Sequence, residues 1–137
     1  MILVDTGPLV ALFDPADADH RQCVDTLRGI EQPIATTVPV LTEALHLLQP
    51  ASLGAQRLMD FVADEGLRVL FLDDQLLSRA FGLMAKYADA PMDLADASLV
   101  TMAERLELST VFTIDRNDFH TYRIQRGHGH RAFEVIG

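Results

Sequence analysis

Met1-Ile2-Leu3-Val4-Asp5-Thr6-Gly7-Pro8 runs straight from an apolar tetrapeptide into turn chemistry, and Leu9-Val10-Ala11-Leu12-Phe13 follows without a polar break. An apolar run closed by Asp, Thr, Gly and Pro is the punctuation of a buried strand, here residues 1–4, that feeds a turn and then a short helix with Pro in its first turn, residues 8–13. The segment Asp14, Pro15, Ala16, Asp17, Ala18, Asp19 ends that helix, and a second one is expected from about His20 to Ile30.

The same unit recurs along the chain. Ile34–Thr37 reads as a strand, and Pro39 opens a helix that carries Val40, Leu41, Leu45, Leu47 and Leu48 and stops before Pro50. Ser52 caps a further helix to about Glu65. Val69–Leu72 is a third strand, followed by Asp73, Asp74 and a helix with Leu76, Leu77, Ala80, Phe81 and Met84 at helical spacing, ended by Asp89 and Pro91. Asp93 begins a helix with Ala97, Val100, Ala103 and Leu106 on one face, and Thr110–Ile114 is a strand ending at Asp115. Beyond Asp118 the chain is rich in Gly, His and Arg, with Phe133, Val135 and Ile136 as a last edge strand. Strands alternating with helices predict an α/β fold with a mainly parallel sheet, whose ligand site lies beyond the carboxyl ends of the strands.

Composition bounds the function. A chain of 137 residues, 49% hydrophobic, fits one domain spanning 1–137. No apolar run approaches the roughly 20 residues of a membrane helix, and Asp5 interrupts the N-terminal apolar stretch, so a cytoplasmic protein without membrane contact is expected. Cys23, the one cysteine, has no thiol partner for a disulfide and reads as a packing residue. Asp14, Asp17 and Asp19 lack the spacing, Gly and closing Glu of a calcium loop.

The net charge of −9 argues at first against a nucleic-acid partner. Its distribution answers part of the objection, because residues 116–137 are net +2, with Arg116, Arg123, Arg126 and Arg131 against Asp118 and Glu134, leaving −11 elsewhere. These four arginines are the expected RNA contacts, with His128 and His130 in the same exposed stretch. The rest of the answer lies in the acids themselves, since divalent cations held by clustered carboxylates reverse the local field.

Four carboxylates stand out. Asp5 and Asp115 each end an apolar strand and reach one common sheet edge, although Asp also serves simply to start turns. Glu43 shares a helix face with Val40 and Leu47, where its head either reaches water along an aliphatic stem or meets a cation. Asp96 lies one turn after Asp93, a pair that could also be plain N-terminal capping. Packed together and left bare, such groups oppose one another's ionisation, and Mg²⁺ or Mn²⁺ suits their hard oxygens. Such ions polarise phosphate and activate water, which implies phosphodiester hydrolysis. Thr6 and Thr113 lie close in sequence to these carboxylates, where they either hydrogen-bond the ligating oxygens or merely suit strand ends.

With these residues assembled, the chain resembles the PIN-domain family over nearly its full length, in particular the VapC-type toxins of toxin–antitoxin pairs. The segments that carry the resemblance are Val4-Asp5-Thr6-Gly7-Pro8-Leu9-Val10-Ala11-Leu12, Leu41-Thr42-Glu43-Ala44, Asp93-Leu94-Ala95-Asp96-Ala97-Ser98-Leu99-Val100 and Thr113-Ile114-Asp115-Arg116-Asn117-Asp118-Phe119. The resemblance implies an α/β/α sandwich whose central, mainly parallel sheet has four to five strands. It also implies a Mg²⁺- or Mn²⁺-dependent ribonuclease with Asp5, Glu43, Asp96 and Asp115 as catalytic carboxylates. Asp5 and Asp96 would be the principal metal ligands, with Asp93 a further ligand or a cap. A cognate antitoxin whose segment fills the active-site groove, and a homodimer, are the implied partners.

Two other readings compete. Asp5-Thr6-Gly7 after an apolar strand is also the local signature of an aspartic protease, but those enzymes are β-rich and need a second such Asp. A non-catalytic binding module would keep the fold and use the groove only to hold a partner.

Overall fold

The computed structural model describes residues 1–137. In chain order it runs β1 (Ile2–Val4), α1 (Thr6–Phe13), α2 (His20–Arg28), β2 (Ile34–Thr37), α3 (Val38–Leu47), α4 (Leu53–Ala63), β3 (Arg68–Leu70), α5 (Asp74–Lys86), α6 (Leu94–Leu106), β4 (Thr110–Phe112), α7 (Arg116–Thr121), β5 (Arg123–Arg126), β6 (Gly129–Ala132) and β7 (Glu134–Ile136). The helix starts follow the expected capping chemistry. The side chains of Ser52, Asp73 and Asp93 accept from the backbone N–H groups of Ala55, Leu76 and Asp96, three residues on.

Five strands form one sheet in the order β3-β2-β1-β4-β7, with every neighbouring pair parallel. The chain steps outward from β1 through β2 to β3, then returns through α5 and α6 to lay β4 against the other side of β1. This reversal opens a crevice between the carboxyl ends of β1 and β4, the place where open α/β sheets bind ligands. β1 is buried at all three positions, so the strand can end only by delivering Asp5 to that crevice. Helix α6 is buried at eight of its positions, Ala95, Ala97 and the run Ser98–Ala103, and carries Asp96 on a core element.

Helix α4 starts hard against the end of α1. A Cβ on Gly54 would lie 2.6 Å from the carbonyl oxygen of Phe13, which belongs to the backbone and cannot swing aside. Gly54→Ala is therefore expected to destabilise the fold by about 1–3 kcal/mol despite Ala's better helix propensity, measurable by urea denaturation.

Some boundaries differ from the sequence reading. The strand expected over Thr110–Ile114 stops at Phe112, because Thr113 turns its hydroxyl to Asp5 and the backbone bends at Ile114. The strand expected over Val69–Leu72 is shifted back to Arg68–Leu70. The Gly-, His- and Arg-rich stretch is not a plain loop: β5 and β6 form an antiparallel hairpin separate from the main sheet. Its two-residue turn has positive φ at Gly127 and not at His128, the pattern of a type II′ turn. β7 is the expected last edge strand, paired with β4.

Candidate active site

Asp5 is the N-cap residue of α1, yet its side chain caps nothing in that helix. It is 3% exposed, and its Oδ2 accepts from the hydroxyl of Thr113 at 2.8 Å. The same Thr113 oxygen accepts the backbone N–H of Asp115 at 3.0 Å. One buried threonine at the end of β4 thus aims Asp5 and shapes the turn that carries Asp115. Burial pushes the Asp5 carboxyl from its ordinary 3.8 to about 6. The Thr6 and Thr113 hydrogen bonds oppose the rise, and the negative charges of Asp115 and Asp93 add to it.

Asp93 and Asp96 form a reciprocal capping box at the start of α6. Asp93 Oδ1 accepts from the Asp96 N–H at 2.8 Å, and Asp96 Oδ2 accepts from the Asp93 N–H at 3.4 Å. The capping reading of this pair is thus met by the geometry, and it leaves Asp93 Oδ2 and Asp96 Oδ1 without a hydrogen-bond donor from the chain. Burial first, then the charges of Asp93 and Asp5, push Asp96 up to about 8. Asp118, at the start of α7, is also raised by burial and by Asp115 and Asp93. The charges of Asp93 and Asp115 thus reach Asp5 and Asp118, and those of Asp93 and Asp5 reach Asp96, across the crevice.

Glu43 stands apart from this inner group. It is half-buried on α3 and lines a cleft of about 550 Å³ with Val38, Thr42, His46 and Asp93. A hydrogen-bond chain fixes α3 against α6. Ser98 donates to the carbonyl of Ala95 at 2.7 Å, and Thr37, which accepts from the Val40 N–H at 3.4 Å, donates in turn to Ser98 at 2.6 Å. The separation of the two cleft walls is set by these hydroxyls.

The donor set is all oxygen, acidic and mutually repelling, the chemistry that suits a hard divalent cation. No three Asp, Glu, His or Cys side chains converge closely enough to enclose an ion by themselves. Mg²⁺ commonly keeps several waters and takes only one or two carboxylates from the protein, so an open acidic crevice fits it. The hydroxyl of Thr6, next to Asp5 in the chain, is buried without a hydrogen-bond partner.

The structure brings Asp5, Asp93, Asp96 and Asp115 to one crevice, with Glu43 on its outer wall. The four arginines read as RNA contacts do not gather there as free cations. Arg116 donates to the carbonyl of Gly137, Arg123 to those of His120, Thr121 and Tyr122, and Arg126 to that of Leu108. Arg131 alone among them makes no such bond and is exposed on β6. Asp118 and the buried Tyr122, whose hydroxyl donates to Asp96 Oδ2 at 3.2 Å, were not marked by the sequence reading. An Asp three residues after Asp115, on the first turn of a helix pointing at the same edge, was the available signal for Asp118. Tyr122 offered none.

Thr113→Val keeps the shape of the side chain and removes both hydrogen bonds at the crevice floor. It is expected to cost about 1–3 kcal/mol of stability in guanidinium denaturation, because Asp5 is left buried without its donor.

The sequence matches the family described as PIN domain over residues 2–124. The ribonuclease VapC26 of Mycobacterium tuberculosis is 29% identical over 136 residues, covering 89% of this chain and 92% of the relative. Among solved structures, Mycobacterium tuberculosis VapC20, a toxin described as cleaving the sarcin-ricin loop, superposes with a TM-score of 0.75 at 19% identity, over 86% of this chain and 92% of that one. A toxin–antitoxin complex from Klebsiella pneumoniae gives a TM-score of 0.67 at 20% identity, over 88% and 92%. At these identities the two structures speak for the fold alone.

Proposed function

The chain belongs to the PIN domain family, and on that premise we propose that it is a Mg²⁺- or Mn²⁺-dependent ribonuclease, the toxin of a toxin–antitoxin pair acting in the cytoplasm. The observation that carries this reading is the pair of carboxylates at the switch point of a parallel sheet, Asp5 buried and Asp96 half-buried, each pushed above the ordinary carboxylate range by burial and by neighbouring negative charge. A fold gains nothing from burying like charges together, and a cation with a phosphate between them turns that cost into binding.

Asp5 and Asp96 would hold the ion, with Asp93 and Asp115 as further ligands and Glu43 facing the substrate from the opposite wall. When bound, the ion would lower the pKa of an attacking water and stabilise the leaving oxygen of the phosphodiester. Thr113 keeps Asp5 aimed into the crevice, and the Asp93 N–H does the same for Asp96. Arg131 is the free cation best placed to meet RNA phosphates near the hairpin, while Arg116, Arg123 and Arg126 keep their charge although their donors are committed to backbone carbonyls.

The relative named as a VapC ribonuclease and the neighbour solved as a toxin–antitoxin complex support the partner class. The acidic cleft continues past Thr42 and His46 into an apolar trough of about 440 Å³, lined by Leu45, Ala55 and Met59 between α3 and α4. A segment of an antitoxin lying in that trough would carry its own side chains up to Glu43 and Asp93 and block the cleft. A homodimer fits the outward-facing Phe71, after β3, and Phe81, on α5, both more than half exposed.

The test is cleavage of a panel of labelled RNAs followed by analysis of the new ends. Attack by an activated water leaves linear phosphate ends. Cyclic phosphate ends would show that the RNA's own hydroxyl is the nucleophile and would remove the role assigned to the carboxylates.

A further inference from the structure

Tyr122 closes α7 and is fully buried. Its ring packs edge-on against Tyr87, at 5.2 Å between centroids, and against Phe119 at 5.3 Å, and Phe119 in turn meets Phe133 at 5.3 Å. Such edge-to-face stacking holds the ring in place without using its hydroxyl. The hydroxyl has one protein partner, Asp96 Oδ2, at 3.2 Å. That oxygen also receives the Asp93 N–H, at 3.4 Å. Both donors fall on the same oxygen, and no donor of the chain reaches Oδ1.

From this asymmetry we infer that Tyr122 is a positioning residue: it pins Asp96 through Oδ2 so that Oδ1 is presented to the divalent cation. The inference rests on the metal-dependent reading of the crevice. Without the phenol, the Asp96 carboxylate turns on one weak backbone hydrogen bond. With it, the rotation is fixed by an aromatic cluster drawn from three elements and their flanks: α5 through Tyr87, α7 through Phe119, and the chain before β7 through Phe133. Hydrogen bonds to metal-ligating side chains act in this way, and removing them weakens metal binding about 10- to 100-fold. Were Tyr122 only a core residue whose hydroxyl takes the nearest acceptor, the Tyr122→Phe substitution would leave the metal site untouched.

The experiment is calorimetric titration of the full-length, RNA-free protein with Mn²⁺. Wild type is expected to bind, and the Tyr122→Phe protein is expected to bind about 10-fold more weakly or worse while melting cooperatively without metal. Equal affinity in the two proteins would overturn the inference and leave the metal reading intact, whereas no binding by wild type would overturn both. A second readout does not depend on the folding of that variant. The chain has no Trp and two Tyr, so in the Tyr87→Phe protein the tyrosine band of the near-ultraviolet spectrum, at longer wavelength than phenylalanine absorption, reports Tyr122 alone. Saturating Mn²⁺ should perturb that band in step with occupancy, because the ion draws charge from the carboxylate the phenol donates to. A spectrum unchanged at saturation would contradict the inference.

Discussion

Asp5→Asn is expected to lower RNA cleavage at least about 1,000-fold, about 4 kcal/mol of transition-state stabilisation, and at the same time to make the metal-free protein more stable at pH 8. The two effects have one cause. A carboxyl held at about 6 instead of its ordinary 3.8 opposes its own ionisation in the fold by about 3 kcal/mol, since the unfolded chain pays no such penalty. Asn keeps an oxygen for the Thr113 hydroxyl and carries no charge into the crevice. Thermal melting in EDTA beside a cleavage assay checks both halves. A variant that is inactive and also less stable would show Asp5 to be a structural residue, and one that still cuts would remove it from the site.

Metal-free stability is expected to fall as pH rises from about 4 to about 8, and Mg²⁺ is expected to restore it at the upper end. The sign follows from the direction of the shifts. Asp5 and Asp96 are raised in the fold, so below pH 3.8 both are neutral in folded and unfolded chains alike and cost nothing. As pH rises the unfolded chain releases its protons first. The loss of stability is complete for Asp5 once pH passes about 6 and for Asp96 once it passes about 8. A cation that binds only the folded, ionised site then adds about 2.7 kcal/mol at a concentration 100 times its Kd, and adds little at pH 5, where protons compete. Melting temperatures across this pH range, with and without Mg²⁺, carry the test. A flat profile, or a Mg²⁺ effect as large at pH 5 as at pH 8, would contradict it.

The sheet was legible because each inner strand is a short apolar run ended by polar turn chemistry, and the capped helices announce their own starts at Ser52, Asp73 and Asp93. Asp5 and Glu43 could be singled out because a carboxylate that closes a buried strand, or sits on an apolar helix face, requires a reason. The hairpin of β5 and β6 was not legible, since Ile124 is its one buried side chain and an exposed two-stranded ribbon shows no alternation of apolar and polar residues. The backbone partners of Arg116, Arg123 and Arg126 were not legible for a related reason. Composition locates positive charge but not the backbone carbonyls near it, and those carbonyls lie where α6, α7 and the chain terminus end. Tyr122 escaped notice because its importance lies in a contact with Asp96, 26 residues away, that only the packing of the α7–β5 junction and β5 against α6 creates. The aspartic-protease reading of Asp5-Thr6-Gly7 fails on architecture: Asp5 leads from a parallel strand into a helix, and the carboxylates around it come from α6 and the end of β4.

The most direct test of the account is a single cleavage series on labelled RNA, with wild type and the Asp96→Asn protein side by side, first in Mg²⁺, then in EDTA, then with Mg²⁺ restored. The account predicts that wild type cuts, stops and cuts again, while the folded Asp96→Asn protein cuts at no stage. Cutting that survives EDTA, or that proceeds equally in the Asp96→Asn protein, would contradict it.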